Sequence, residues 1–352
     1  MIIKMGVVSM SEYIIAVDAM GGDNAPEAPV GGAIEALRHY PDIRILLAGP
    51  EAQLNELLAN KANELEGQIR DRIEILPADD VIGMDESPML AVRKKTNSSL
   101  VQAMQAVCDK RAGAVVSAGS TGAVLAGGML RIGRIPGIER PSLAPVLPGV
   151  KKPFLLIDAG ANVDCQPKYL AQFGLMGSVY MKNVMGVDDP AVGLVNIGTE
   201  AEKGNKLTKE TYQLMQAQTS YRFAGNCEAR DIPTGDFDVV VADGFDGNII
   251  LKYTEGLASA MMDMLKTNLM ASRVTKLGAA LSRPAFRKFK RSMDYNAYGG
   301  APLLGVEGAV IKAHGSSGTA AIMNAIRQAR EMLVGDVAGK IRAGLAGLGT
   351  EE

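Results

Sequence analysis

Tryptophan is absent from the 352-residue chain, aromatic residues make up 5%, and there are 2 histidines and 3 cysteines. Cys108, Cys165 and Cys227 stand far apart without CxxC spacing, which argues against a zinc site or a disulfide framework and suits a reducing compartment. None of the glycine-rich turns matches the dinucleotide fingerprint GxGxxG or the P-loop GxxxxGK[ST], and no GxSxG elbow is present. A Ser-His-Asp triad is not expected. His39 reads as an exposed helix residue, and His314 as either a ligand contact or a capping residue. Nor is there an excess of charge of one sign: 37 basic and 39 acidic side chains leave a formal −2, so nothing in the total calls for nucleic acid. The first residues lack a long apolar run with a cleavage site; 1–13 read as an N-terminal extension, with Met1 and Met10 both open as the start. The longest uncharged run, the 19 residues from Ala112 to Leu130, could span a bilayer by length. Its centre, Ser117-Ala118-Gly119-Ser120-Thr121-Gly122, is turn chemistry, so a strand, a turn and a helix are predicted there.

What is present is a globular composition, 47% hydrophobic and 22% charged, with 40 glycines in clusters. The length suits two domains or one large α/β unit. Short β-branched runs alternate with helical patterns. Strands are predicted at Ile14–Asp18, Ile43–Ala48, Ile73–Leu76, Ala114–Ser117, Phe154–Asp158, Val192–Ile197 and Asp238–Ala242. Helices are predicted at Glu27–Tyr40, Pro50–Asn60, Ser98–Lys110, Gln166–Met185 and Thr208–Thr219. The alternation predicts an α/β fold with a mostly parallel sheet and helices on both faces. A single catalytic domain over 14–335 is expected, followed by a C-terminal helix and tail over 336–352.

One segment breaks the pattern. Leu257, Met261, Met264, Leu265 and Leu269 recur at helical spacing, continued by Val274, Leu277 and Leu281 until Pro284 interrupts. From Met264 to Met293 no acidic residue occurs, while Lys266, Arg273, Lys276, Arg283, Arg287, Lys288, Lys290 and Arg291 supply 8 cations, leaving −10 of the overall −2 on the remainder. A basic amphipathic helical hairpin over about 255–297 is predicted. It suits a dimerisation element with a solvated basic face, or contact with an anionic lipid layer or acidic protein.

In open α/β sheets ligands sit beyond the carboxyl ends of the strands. Five predicted strands run there into Gly with Asp, Asn, Ser or Thr: Asp18-Ala19-Met20-Gly21-Gly22-Asp23, Ser117 to Gly122, Asp158-Ala159-Gly160-Ala161-Asn162, Asn196-Ile197-Gly198-Thr199-Glu200 and Ala242-Asp243-Gly244-Phe245-Asp246-Gly247-Asn248. Each alone is ordinary turn and capping chemistry. Together they suit a polar cleft for an anion such as phosphate.

These blocks, with Lys203-Gly204-Asn205, Glu228-Ala229-Arg230-Asp231 and Tyr298-Gly299-Gly300-Ala301-Pro302, resemble the PlsX family of phosphate acyltransferases, in the same order from Ile14 to about Val334. The resemblance implies a three-layer α/β/α sandwich similar to isopropylmalate dehydrogenase and phosphotransacetylase. It implies acyl transfer from acyl-acyl carrier protein to inorganic phosphate for phospholipid synthesis, by a cytoplasmic homodimer held peripherally at the membrane. The membrane-bound glycerol-3-phosphate acyltransferase that consumes acyl phosphate is an expected partner; no cofactor and no metal are expected. Lys203 and Asn248 are the active residues the resemblance implies. Gly21, Gly22, Ser120, Thr121 and Gly122 are assigned to a phosphate cradle, and Asp18, Asp23, Asn162, Asp243, Gly244 and His314 complete the substrate-binding set. Arg283, Arg287, Lys288, Lys290 and Arg291 are assigned to the membrane or carrier protein. Asp246 departs from the pattern, because a carboxylate beside a phosphate site is repulsive. Two other classes stay open: another enzyme of this fold, either a phosphotransacetylase using coenzyme A or a dehydrogenase of a phosphorylated substrate, and a non-catalytic membrane-surface adaptor.

Overall fold

The structure, a computed structural model, describes residues 12–61, 67–292 and 298–348. In chain order its strands and α-helices are β1 (Tyr13–Asp18), α1 (Glu27–His39), β2 (Ile43–Gly49), α2 (Glu51–Asn60), β3 (Ile73–Pro77), α3 (Pro88–Lys94), α4 (Ser99–Cys108), β4 (Ala114–Ser117), α5 (Thr121–Gly127), β5 (Ser142–Leu143), β6 (Val146–Leu147), β7 (Phe154–Ile157), α6 (Pro167–Asn183), β8 (Ala191–Asn196), α7 (Lys206–Ala217), β9 (Arg222–Glu228), β10 (Val239–Val241), α8 (Gly244–Leu269), α9 (Arg273–Leu281), α10 (Arg283–Ser292), β11 (Ala301–Leu304), β12 (Ala309–Lys312), α11 (Thr319–Val334) and α12 (Val337–Gly344). They form two compact units, Met1–Ile132 with Gly308–Val334, and Gly133–Glu307 with Gly335–Glu352.

The first unit is built on parallel strands in the order β3-β2-β1-β4-β12. β4 is buried along its whole length and β2 at all but one position, as expected of strands covered on both faces. The 19-residue uncharged run divides into β4 and α5 as its turn chemistry predicts, and among the described residues no helix is long and apolar enough to cross a membrane. α1 and α11 approach closely: a Cβ on Gly32 would stand 2.6 Å from the Cβ of Ile322. Arg330 of α11 fixes the turn after α1. Its Nε donates to Asp42 Oδ1 at 2.8 Å and its guanidinium lies 5.2 Å from the Tyr40 ring centre, holding the Asp42 carboxyl below its ordinary range.

The second unit holds the sheet β6-β7-β10-β8-β9, parallel except for the edge strand β6, and an antiparallel pair β5/β11. Leu147, Phe154, Leu156, Ile232 and Val240 form one core cluster, and Phe173 and Tyr180 of α6 are fully buried.

Two differences from the sequence reading have physical causes. β9 was not anticipated. Its register against β8 shifts at Gly193, and Gly225 sits at φ +101°, so the strand carries an irregularity that hides the usual pattern. The residues from Gly244 onward read as a turn leading to a helix near Glu255, yet Asp243 caps a helix that runs unbroken to Leu269. After it the chain breaks at Met270–Ser272 and at Ser282, and Pro284 sits in the first turn of α10, where its missing N–H costs nothing. α8 buries only Gly244 and Gly247, and α9 buries nothing. The predicted stripe is therefore on the surface: Leu257, Met261, Met264, Val274, Leu277 and Leu281 are all exposed.

The α1–α11 contact predicts that Gly32→Val forces the two helices apart. The expected loss is about 1–3 kcal/mol, read as a lower urea midpoint. A wild-type midpoint would contradict this packing.

Candidate active site

In the first unit the carboxyl ends of three neighbouring parallel strands, β1, β4 and β12, lie level, with Lys312 paired to Ser117. Asp18, 3% exposed, sits where they meet. Its Oδ2 accepts the Ser117 hydroxyl at 2.7 Å and its Oδ1 the Met20 N–H at 3.3 Å, while Ser117 Oγ accepts the Gly119 N–H at 3.0 Å. Burial pushes the Asp18 carboxyl up; the Ser99 and Ser117 hydroxyls, the Met20 N–H and the Lys312 ammonium oppose that rise. The turn after β1 lies on this carboxylate so closely that a Cβ on Gly21 would stand 2.5 Å from Asp18 Oδ2 and 2.8 Å from the Gly119 nitrogen. The third turn joins through Asp23, whose N–H donates to Gly315 O at 2.8 Å, and Asn24, whose amide donates to Ser316 O at 3.1 Å. Ser120 is buried and Thr121 exposed, and neither hydroxyl caps a helix. His314 is exposed, and its Nδ1 lies 2.8 Å from Ser316 Oγ.

In the second unit β7, β10 and β8 lie side by side, with Ile157 level with Val241 and Val241 with Leu194. Their turns, 158–162, 242–248 and 196–205, therefore share one sheet edge. Asp158, fully buried, accepts N–H groups from Leu143 at 3.0 Å, Ala161 at 3.1 Å and Asn162 at 2.6 Å, and the Asn162 side-chain amide at 2.9 Å. Burial pushes this carboxyl up as well, and the four donors oppose it. Asn162 also donates to Pro141 O at 2.8 Å and accepts the Gly244 N–H at 2.8 Å, joining the first two turns. Asp243 Oδ1 accepts the Asp246 N–H at 2.8 Å, so its side chain caps α8. A Cβ on Gly247 would fall 1.8 Å from Asp158 O; only glycine lets the first turn of α8 rest on the end of β7.

Asn248, one residue on, is exposed and lies over the turn, 3.3 Å from the position of a Cβ on Gly160. Lys203 is exposed too. Its backbone is held by Asn196, whose amide donates to Lys203 O at 3.1 Å, and by its own N–H to Glu200 O at 3.1 Å. Asn226 of β9 donates to Glu200 O at 2.9 Å. A tied turn thus carries an exposed lysine. Asp246 lies in the first turn of α8, where unpaired helix N–H groups favour a carboxylate. Burial, then Asp243, raises its pKa.

Of the residues predicted from sequence, Asp18, Gly21, Gly22, Asp23, Ser120, Thr121, Gly122 and His314 fall in the first unit, and Asn162, Lys203, Asp243, Gly244 and Asn248 in the second. Arg283, Arg287 and Lys288 are exposed on α10; the side chains of Lys290 and Arg291 lie outside what is described. Sequence reasoning missed Ser99, Asp158 as a turn organiser, Asn196, and Lys312, a lysine flush with the end of the apolar run Ala309-Val310-Ile311. The thiols are poor nucleophiles: burial pushes Cys165 and Cys227 up to about 12.

Comparison with known proteins adds a second line. Residues 13–340 match the family model described as fatty acid synthesis protein. The chain is 51% identical over 327 residues to a phosphate acyltransferase of Clostridium perfringens (strain SM101 / Type A), covering 93% of this chain and 95% of that one. It is 52% identical over 317 residues to a phosphate acyltransferase of Clostridium botulinum (strain Loch Maree / Type A3), covering 90% and 93%. The fold is similar to the EutD phosphotransacetylase from Staphylococcus aureus (TM-score 0.62, 16% identity, 92% and 95% covered) and to a phosphotransacetylase from Streptococcus pyogenes (TM-score 0.60, 14% identity, 92% and 94% covered). With half its residues shared with such relatives along nearly its full length, the chain belongs to the family of fatty acid synthesis proteins that includes the phosphate acyltransferases.

Proposed function

We propose that the protein transfers a fatty acyl group from an acyl-acyl carrier protein thioester to inorganic phosphate, giving acyl phosphate for phospholipid synthesis. One observation carries this reading: adjacent parallel strands β8 and β10 deliver an exposed lysine and an exposed carboxamide, Lys203 and Asn248, to the same sheet edge. A phosphate oxygen attacks the thioester carbonyl carbon; the tetrahedral adduct expels the carrier thiolate, which takes the proton of hydrogen phosphate. Phosphate is itself a competent anionic nucleophile, so the protein has to position it and stabilise the oxyanion. Lys203 neutralises and orients phosphate. The Asn248 amide donates to the thioester oxygen as charge develops. In the first unit, taken by itself, Gly21, Gly22, Ser120, Thr121 and Gly122 offer backbone N–H groups and hydroxyls suited to an anion such as phosphate.

The surface of α8 to α10 fits the setting this reaction needs. We assign the exposed stripe from Phe245 through Ile249, Tyr253, Leu257, Met261 and Met264 to a homodimer contact, since a stripe of that length is costly to leave in water. The α10 cations are assigned to the anionic surface of the membrane, where acyl phosphate would meet a membrane-bound glycerol-3-phosphate acyltransferase. The protein is then cytoplasmic and peripheral.

Lys203→Ala and Asn248→Ala are each expected to lower kcat for acyl phosphate by about 100- to 1,000-fold without changing the melting temperature. Free thiol and acyl phosphate are measured together, and near wild-type turnover in both variants removes the mechanism. Turnover of a coenzyme A thioester but not of the carrier thioester would point instead to a phosphotransacetylase-like enzyme. Reversing Arg287 and Lys288 to Glu is expected to weaken sedimentation with phosphatidylglycerol vesicles by at least about tenfold; unchanged binding would remove the membrane role of α10.

A further inference from the structure

Lys312 of the Asp18 cluster has no part in the reading above, and its placement is unusual. It ends β12, is 7% exposed, and its ammonium turns back to donate to the carbonyl of Ala313. Buried lysines are rare and persist only beside a compensating group. Among the groups around it is Asp18, which lies at the end of the next strand but one, feels the Lys312 charge and accepts the Ser117 hydroxyl. The three residues close the ends of three neighbouring strands: Asp18 ends β1, Ser117 ends β4 and Lys312 ends β12. Ala313 N–H donates to Ser117 O at 2.9 Å, which completes the join between β12 and β4.

We infer that Lys312 is a positioning residue for phosphate: its buried ammonium holds Asp18 as the carboxylate that fixes the turns after β1 and β4, so that Gly21, Gly22 and the Ser120–Gly122 segment present their donors to the anion. The argument runs through charge balance. Asp18 accepts from two hydroxyls and one N–H, an arrangement that an ionised carboxylate satisfies fully and a neutral acid satisfies less well. Deep burial works against that ionised form, and Lys312 is the cation among its neighbours that offsets it. With Lys312 gone, the carboxylate loses its compensation, the Ser117 hydroxyl is released to turn, and with it the Gly119 N–H it accepts. Gly21 has little slack to absorb such a change, because the space where a Cβ would stand is already closed by Asp18 Oδ2 and the Gly119 nitrogen. The role is positional because the Lys312 ammonium, buried in the cluster, donates to its own strand end at Ala313; phosphate meets the turns that the cluster holds.

The inference rests on the phosphate assignment of the previous subsection, and the test separates the two. Inorganic phosphate is titrated calorimetrically into the full chain as wild type, Lys312→Met, Lys312→Arg and Asp18→Asn, and KM is measured for phosphate and for the acyl donor. Lys312→Met is expected to weaken phosphate binding and raise its KM by about 10- to 100-fold, leaving the KM of the acyl donor within about twofold; Lys312→Arg restores most of the loss. Asp18→Asn keeps the shape of the side chain and serves as the readout if Lys312→Met fails to fold; it is expected to lose phosphate affinity in the same way. Wild-type phosphate affinity in Lys312→Met, or in Asp18→Asn where the first does not fold, overturns the inference. So does a fall in melting temperature with both KM values unchanged. A wild-type protein that binds phosphate but forms no acyl phosphate removes the proposed reaction and leaves this inference standing.

Discussion

A carboxylate buried at the carboxyl end of a parallel strand dictates the conformation of whatever follows it. Left unpaired it costs several kcal/mol, while hydrogen bonds to a charged acceptor contribute about 1.5–3 kcal/mol each. The next residues therefore turn their N–H groups back toward it. Each unit has one such residue. Asp18 gathers Met20 N–H, the Ser99 and Ser117 hydroxyls and the Lys312 charge; Asp158 gathers Leu143, Ala161 and Asn162. In both, glycine is required where the returning backbone crosses the carboxylate's own strand, at Gly21 and at Gly247. These aspartates explain why the glycine-rich turns have fixed shapes at all. They act as frame, while Lys203 and Asn248, the residues of the proposed reaction, are left exposed.

The same frame ties reaction to surface. Asn248 is the fifth residue of α8, and the helix then runs on for the rest of its 26 residues with nothing further buried. One rigid element thus starts at a sheet edge and ends in an apolar, cation-flanked surface. In the proposed homodimer, contact along that stripe would bear on the same helix that carries Asn248.

Much of this was legible in the sequence. The β4–turn–α5 order of an uncharged 19-residue run followed from three polar residues and two glycines at its centre, and the apolar strands β1, β2, β4, β7 and β8 were found to within one residue. Family likeness pointed to Lys203 and Asn248. What stayed hidden depends on distant partners. Nothing near Asp158 in sequence announces that Leu143 N–H will be its donor. Lys312 carries no signal of its own until β12 is placed beside β4. Asp243 and Asn162 carry the right chemistry for ligand contact, yet the structure commits Asp243 Oδ1 to capping α8 and the Asn162 amide to Asp158 and Pro141. β9 escaped because an irregular register erases the alternation by which a strand is recognised.

The central claim is that phosphate itself attacks the thioester, with no acyl-enzyme between. The thiols support it, since Cys165 and Cys227 are pushed up to about 12 by burial and no activated serine motif exists. The most direct measurement is exchange of isotopically labelled carrier thiol into acyl-carrier thioester. The account predicts no exchange in the absence of phosphate. Rapid exchange without phosphate would reveal a covalent acyl-enzyme and contradict it.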